Sequence, residues 1–219
     1  NKEVKNILVK KSLFAHKLVE ESMLLANESA AEFMQDSLNL GVYRVHEDPD
    51  ASKLELLKKH FHIPAQISKK LSPLEVINSC LVQANKKNDD IGKILVLQTL
   101  ARAEYSTNNL GHFGLQLQRY AHFTSPIRRY PDLLVHRLIS SYLAHKKPNR
   151  TENELQDECE NASVLERRAE KASRQVEQVL VCEYLKGKIG TSMNGVITGV
   201  TDFGLFINLE PYFISGLLH

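Results

Sequence analysis

Residues 120–137 read YAHFTSPIRRYPDLLVHR, and this stretch indicates more about fold and function than any other part of the chain. Ser125 and Pro126 are typical of a helix start, because serine caps free backbone N–H groups and proline at the first position loses no hydrogen bond. The sequence therefore predicts a helix that begins at Ser125 and carries Arg128 and Arg129 in its first turn. The free N–H groups of a first turn already favour an anion, so two cations there indicate an anionic partner.

A phosphodiester is the natural partner for such arginines, since one guanidinium group can bind two phosphoryl oxygens at once. The residues also fit a surface turn whose arginines pair with carboxylates. For Arg129, a bridge to a carboxylate at the edge of the core is as good an interpretation as an RNA contact. Asp132 fits a supporting carboxylate or a simple helix-start acid. Tyr130 fits packing better than base stacking, and His122 and His136 fit hydrogen-bonded core residues better than catalytic ones.

Four stretches, in chain order, resemble motifs of the ribonuclease II and ribonuclease R exoribonucleases, in the late part of their RNB catalytic domain. They are EESMLLAN at 20–27, YRVHEDP at 43–49, GHFGL at 111–115 and HFTSPIRRYPD at 122–132. The residues of the last stretch are closer to those of the bacterial ribonuclease R branch than to those of ribonuclease II. The resemblance covers essentially the whole chain. It implies a processive 3′-to-5′ exoribonuclease that hydrolyses single-stranded RNA to nucleoside 5′-monophosphates during RNA degradation.

The resemblance also implies roles for individual residues. Arg128 corresponds to the family's catalytic arginine beside the scissile phosphate, where a fixed cation stabilises developing charge. Arg129, Tyr130, Arg44 and Asn27 are carried over as RNA-binding residues. Asn27 lies among apolar neighbours in the sequence, and a buried amide needs hydrogen-bond partners, so it is also a candidate for holding the wall of an RNA channel.

The end of the chain has a strand-like sequence pattern, unlike the helix-rich part before it. Residues 195–207 read GVITGVTDFGLFI, which predicts two strands joined by a tight turn and resembles the opening hairpin of an S1-type OB fold. Residues 215–219 resemble the third strand of such a module. The predicted organisation is thus the C-terminal part of an RNB catalytic domain over 1–187, followed by the truncated start of an S1-type RNA-binding domain over 188–219.

Two phenylalanines and a histidine of this segment, Phe203, Phe206 and His219, correspond to the RNA-facing residues of S1-type modules. Aromatic rings stack on bases of any sequence. Residues three apart on an extended strand point to opposite faces unless a turn reverses one of them. One of the two phenylalanines could therefore fill the barrel instead of facing RNA.

Hydrophobic periodicity and turn residues predict an α+β fold, in which a helix-rich part precedes an incomplete all-β OB-fold module. The alternation of Phe113, Leu115 and Leu117 with polar residues predicts a strand from about His112 to Phe123. A short β-like stretch is predicted over 41–50. Helices are predicted over about 12–35, 51–62, 72–84, 91–106, 131–146 and 151–187, the third beginning with Ser72 and Glu75 and the last with Thr151 and Glu154 as capping boxes.

Composition narrows the class of protein. The net charge is only +2, which excludes a uniformly basic nucleic-acid coat, although residues 119–150 are locally basic. The three cysteines are odd in number and widely spaced, which indicates a reducing compartment, and we expect a cytoplasmic protein without a membrane segment. The expected partners are single-stranded RNA and proteins of the RNA-degradation machinery.

The resemblance implies divalent metal, Mg²⁺, held by a tight aspartate cluster early in the catalytic domain, since this ion prefers hard oxygen ligands. None of the aspartates in this chain reproduces that cluster. The chain is therefore expected to be a fragment that lacks the metal ligands and is inactive alone. The alternative is a non-catalytic RNA-binding or adaptor protein that kept the RNB scaffold and lost the aspartates.

Overall fold

The computed structural model describes residues 4–8, 12–64, 66, 70–210 and 214–219. These residues form an α+β fold, which confirms the predicted class. The described residues divide into two compact units, one drawn from 12–54 and 99–168 and the other from 1–11, 55–98 and 169–219. The boundary proposed between residues 187 and 188 stays a prediction.

In the described part of the chain, helices predominate up to residue 186 and three strands follow. The helices are α1 (Phe14–Phe33), α2 (Ala51–His60), α3 (Pro73–Lys87), α4 (Asp90–Thr99), α5 (Tyr130–Leu143) and α6 (Glu152–Lys186). The strands are β1 (Tyr43–Val45), β2 (Glu104–Ser106), β3 (Gly195–Thr201), β4 (Gly204–Leu209) and β5 (Ile214–Leu218). A π-helical turn, Met34–Leu38, extends α1, and a 3₁₀ turn spans Phe113–Leu115. Among the described helices, none has the length and apolar character needed to span a bilayer.

The unit made of residues 12–54 and 99–168 has one continuous apolar core. Antiparallel strands β1 and β2 pair there, with Tyr43 opposite Ser106. The end of α1 with the turn that extends it, one face each of α5 and α6, and the loop residues Val42 and Ala121 supply the rest of the core. The largest fully buried side chains of this unit include Met34, Val42, Val135 and Leu155. Burial of this kind stabilises the fold by about 1.5–3 kcal/mol for each large apolar side chain.

Both predicted capping boxes are present. The Glu75 N–H donates to Ser72 Oγ at 3.3 Å, while the Ser72 N–H donates to Glu75 Oε2 at 2.7 Å. Thr151 and Glu154 repeat the same reciprocal pair at the same two distances, 3.3 and 2.7 Å. Each box satisfies N–H groups that a helix start leaves without intrahelical partners, so local sequence alone sets these two starts.

The strand predicted over His112–Phe123 is wrong. The chain instead turns tightly, because Gly111 and Gln116 adopt left-handed backbone conformations with φ of 74° and 57°. The His112 N–H donates to the Leu117 carbonyl at 2.8 Å, which closes a loop around the 3₁₀ turn. The helix predicted over 91–106 is also too long. It ends at Thr99, and residues 104–106 form β2, which pairs with a strand about sixty residues earlier in the chain.

In the other unit, β3, β4 and β5 form an antiparallel sheet in that order, and the predicted hairpin is confirmed. Gly204 has a φ of 151°, and a Cβ there would run into the Leu218 carbonyl, so the close approach of β5 requires glycine. A bulge between Ile197 and Gly199 shifts the β3–β4 register. The assignment of this sheet to an S1-type module stays a prediction.

Candidate functional site

The arginines lie in a tight turn before helix α5, so the helix start predicted at Ser125 is wrong. The Ser125 carbonyl accepts from the backbone N–H groups of Arg128 at 3.2 Å and Arg129 at 3.0 Å. Arg129 has extended backbone angles and occupies the N-cap position of α5, which begins at Tyr130. We call residues 125–129 the arginine loop. It presents Arg128 and Arg129 on a turn, as the second interpretation of the sequence expected.

A buried carboxylate explains why Ser125 does not cap a helix. Asp132, with an exposed fraction of 0%, accepts from the Ser125 N–H at 2.7 Å and from Arg129 Nη2 at 2.7 Å. Its contact with both ends of the arginine loop folds the backbone back on itself. The interpretation of Asp132 as a simple helix-start acid is therefore incomplete, because its carboxylate organises the loop that precedes the helix.

Asn27 on α1 holds the segment that leads into the arginine loop. Its Oδ1 accepts from the N–H groups of Phe123 at 2.9 Å and Thr124 at 3.2 Å, and its Nδ2 donates to the Tyr120 hydroxyl at 2.9 Å. Only 2% of Asn27 is exposed. Its expected burial with hydrogen-bond partners is observed, and its side chain supports the chain beneath the loop. It does not reach an open surface, so a direct RNA contact by Asn27 finds no support in this conformation.

Arg128 and Arg129 differ sharply in their surroundings. The Arg129 side chain is 18% exposed and pairs with Asp132, which matches the bridge to a core-edge carboxylate. Arg128 is exposed, and within the described part of the chain no carboxylate pairs with its guanidinium group. Ile127 beside it is fully exposed. The tip of the loop thus carries a cation that is available to an external anion.

A layer of histidine and tyrosine lies beside the arginine loop. His122 Nδ1 lies 2.9 Å from the Tyr105 hydroxyl. Burial, and then the positive charges of Arg129 and Arg44, lower the pKa of His122 to about 3, so this imidazole is neutral at pH 7. Arg128 also contributes to this effect. Arg129 and Arg44 are themselves paired with Asp132 and Glu166, so of these three cations Arg128 is the one that has no carboxylate partner among the described residues.

Arg44 is held by two contacts that the sequence did not indicate. Its Nη1 lies 2.7 Å from Glu166 Oε2, and its guanidinium carbon lies 4.5 Å from the centre of the Tyr105 ring. The acidic stretch that contains Glu166 fits a solvated helix face, so the sequence carries no signal for this pair. Burial raises the pKa of Tyr105 to about 12. Tyr130, which was also predicted to bind RNA, is half exposed, and its hydroxyl lies 3.4 Å from Glu158 Oε1.

His136, which flanks the motif, is half-buried and hydrogen-bonded. Its Nε2 lies 2.9 Å from the Phe123 carbonyl oxygen, and its ring stacks on the Phe123 ring with centroids 4.2 Å apart. His136 therefore supports the same segment that Asn27 holds.

The three residues predicted at the end of the chain come together on the β3–β5 sheet. The Phe203 and Phe206 rings meet edge to face with centroids 6.2 Å apart, because Phe203 lies in the turn before β4. His219 Nδ1 lies 3.1 Å from the Phe203 carbonyl oxygen. Phe203 is 60% exposed. The turn thus lets the two rings meet although the residues lie three positions apart in the chain.

The described residues do not build a metal centre. Among them, no group of three or more His, Cys, Asp or Glu side chains lies close enough to hold a metal ion. Asp132, the buried carboxylate nearest the loop in sequence, already accepts two hydrogen bonds. The donor set present here does not fit Mg²⁺, so the contribution of these residues is made by cations and hydrogen bonds.

Comparison with known proteins places the arginine loop in a family. The family model described as RNB domain matches residues 1–145, which include α1, the β1–β2 pair and the loop. This chain belongs to the RNB family. Ribonuclease R of Vibrio cholerae serotype O1 is 37% identical over 221 residues, an alignment that covers 94% of the RNB chain and 27% of that protein. The chain thus spans about a quarter of the length of this curated relative.

Solved structures agree with the RNB assignment. Mycoplasma genitalium RNase R in complex with ribose methylated single-stranded RNA superposes with a TM-score of 0.80 at 30% identity, over 97% of this chain and 34% of that chain. Yeast Ssd1, described as a pseudonuclease, has a TM-score of 0.72 at 20% identity, over 93% of this chain and 26% of that chain. The second likeness is one of fold alone.

Proposed function

We propose that this RNB chain is part of a processive 3′-to-5′ exoribonuclease that hydrolyses single-stranded RNA to nucleoside 5′-monophosphates. The observation that carries the proposal is the exposed Arg128 guanidinium, which has no carboxylate partner among the described residues and sits on a turn anchored by buried side chains. Support comes from relatives named ribonuclease R and from a similar structure that contains single-stranded RNA.

The chemistry assigned to these residues is the binding and stabilisation of charge. Arg128 grips a phosphate at or next to the scissile bond, where a preorganised cation favours the charge that develops on the phosphoryl oxygens. His122 and Tyr105 have pKa values of about 3 and about 12, so neither changes its protonation state near pH 7. These pKa values lie far from the value near 7 that favours general acid or base catalysis in neutral solution.

Mg²⁺ is part of the proposal for the intact protein, where it would supply an activated water and neutralise phosphate charge. Its ligands would lie outside the described residues, which do not fit the ion. The role of this chain in the reaction is thus to hold and orient the RNA backbone.

A second part of the proposal concerns the β3–β5 sheet. Phe203, Phe206 and His219 would stack on bases of the incoming strand, as in an S1-type module, and each stacked base would contribute about 1–3 kcal/mol. The exposed Phe203 ring beside Phe206 supports this. We also place the protein in the cytoplasm, in contact with the RNA-degradation machinery. The free thiols of Cys80, Cys159 and Cys182 are consistent with a reducing compartment.

The test uses the full-length gene product and a labelled single-stranded RNA. Mg²⁺-dependent release of mononucleotides is measured for the wild type and for Arg128→Ala, with Arg137→Ala as a matched control. Arg137 is an exposed arginine on α5 that takes no part in the loop. We expect Arg128→Ala to lower turnover by about 10²–10³-fold, the usual cost of removing a preorganised donor, and Arg137→Ala to leave it unchanged.

Two outcomes would change the conclusion. Equal turnover of the Arg128→Ala variant and the wild type would refute the phosphate contact. A wild-type protein that binds RNA but releases no mononucleotide would support the adaptor alternative. Both RNA binding and mononucleotide release must be measured, because the fold is shared with a pseudonuclease and does not decide between the two functions.

A further inference from the structure

We infer that Asp132 is a positioning residue that holds the arginine loop in the conformation that presents Arg128. This inference rests on the proposed function of Arg128 and adds the group that acts through it. Asp132 is fully buried, and its Oδ1 receives both the Ser125 N–H and Arg129 Nη2 at 2.7 Å. One carboxylate oxygen thus joins the first and last residues of the loop.

The opposite side of the same segment is held by Asn27, through the N–H groups of Phe123 and Thr124. The chain is therefore anchored immediately before the loop by an amide on α1 and across the loop by a carboxylate on α5. Between these anchors, Ile127 and Arg128 are exposed, and the N–H groups of Arg128 and Arg129 both donate to the Ser125 carbonyl. The direction of the Arg128 side chain thus depends on the anchors.

The pairing of Arg129 with Asp132 indicates that Asp132 fixes the geometry of the arginine loop and does not merely stabilise the fold. Asp132 Oδ2 and Arg129 Nε are both buried without a hydrogen-bond partner in the described residues, so each group satisfies only part of its bonding capacity. A buried ion pair of this kind adds little net stability compared with apolar residues of similar size. The ion pair instead fixes the distance between the two ends of the arginine loop.

Arg129 is consequently assigned to the support of the loop, and Arg128 to the contact with phosphate. Displacement of a catalytic group by about 1 Å can lower a rate by about 100-fold. Loss of the Asp132 charge should therefore lower turnover even though Asp132 lies too deep to touch RNA in this conformation.

The experiment is a double-mutant cycle in the full-length protein, with Asp132→Asn, Arg128→Ala and the double variant. Asp157→Asn, an exposed acid on α6, is the matched control. We expect Asp132→Asn to lower kcat by about 10- to 100-fold with KM within about twofold, and to add almost nothing once Arg128 is alanine. Additive losses in the double variant would overturn the inference, because Asp132 would then act independently of Arg128.

A second readout requires no catalytic activity. Trypsin cleaves after Arg128 and Arg129, so the rate of cleavage in the folded protein reports how firmly the loop is held. We expect Asp132→Asn to raise this rate by about tenfold, the effect of weakening one bond to a charged group, while Asp157→Asn leaves it unchanged. An unchanged rate in Asp132→Asn would overturn the inference.

The two readouts also separate the inference from the proposed function. If the wild type does not hydrolyse RNA, the proposed function fails, and protease protection still decides whether Asp132 holds the loop. If Asp132→Asn does not fold, Arg129→Gln breaks the same pair from its other end and leaves the Ser125 bond in place. The same non-additivity with Arg128→Ala is then expected.

Discussion

Replacement of Asn27 by alanine should destabilise the segment beneath the arginine loop. The hydrogen bonds of the Asn27 side chain set the size of this free-energy loss. The side chain makes three hydrogen bonds, two of them from the backbone N–H groups of Phe123 and Thr124. A buried donor left without a partner costs about 1–3 kcal/mol. Two such donors give a sum of about 2–6 kcal/mol, and the entry of water into the vacated space brings the expected loss to the lower half of that range.

Hydrogen exchange read by mass spectrometry measures this loss directly, in a peptide that covers residues 120–125 of the full-length protein. Protection of these amides should fall by about 30-fold or more in Asn27→Ala, since 1.4 kcal/mol corresponds to a factor of ten. Asn161→Ala, at an exposed position on α6, is the matched control and should leave protection unchanged. Equal protection in the wild type and Asn27→Ala would refute the reasoning, because it would mean that the amide does not hold this segment.

Two further predictions concern pH and RNA affinity. His122 should make the protein less stable as pH falls from 7 to 5, because its folded pKa of about 3 lies below its unfolded value and the unfolded chain then binds more protons. The His122→Gln variant should lose this pH dependence, which amounts to a slope of up to about 1.4 kcal/mol per pH unit in the free energy of unfolding. His145→Gln, at an exposed site, is the control. An unchanged slope in His122→Gln, or an equal change in His145→Gln, would contradict the prediction. Phe203→Ala should weaken binding of single-stranded RNA by about 5- to 150-fold, the equivalent of one stacked base, whereas Val200→Ala on the same sheet should not. Equal affinities of Phe203→Ala and the wild type, measured by fluorescence anisotropy, would exclude the stacking role.

Local signals in the sequence were reliable where the interacting groups lie within a few residues. The capping boxes at Ser72 and Thr151 and the hairpin around Gly204 all formed as predicted. The strand predicted over residues 112–123 failed because alternation of apolar residues does not specify a strand when nearby residues adopt left-handed angles. Strand β2 was missed because its partner, β1, lies far away in the chain.

In the candidate site too, the sequence indicated local features but not long-range contacts. The two arginines, Asn27 and the aromatic pair could be named from motifs. Their roles could not, because the pairs that define them span long separations: Asn27 reaches Tyr120 across 93 positions and Arg44 reaches Glu166 across 122. For Arg129 the sequence offered a bridge to a core-edge carboxylate as one of two interpretations, but it did not name Asp132 as the partner, since a helix start and a turn closed by a carboxylate have the same residues and differ only in burial.

The sequence by itself determined the family, the α+β class and the presence of an arginine pair before a helix, because motif identity and periodicity are properties of residues close together in the chain. Only the tertiary structure decided that Arg129 is held inward and Arg128 is left outward. The physical reason is that a guanidinium group pairs with whichever carboxylate the fold buries beside it. Asp132 is buried by the packing of α5 against a core drawn from both halves of its unit.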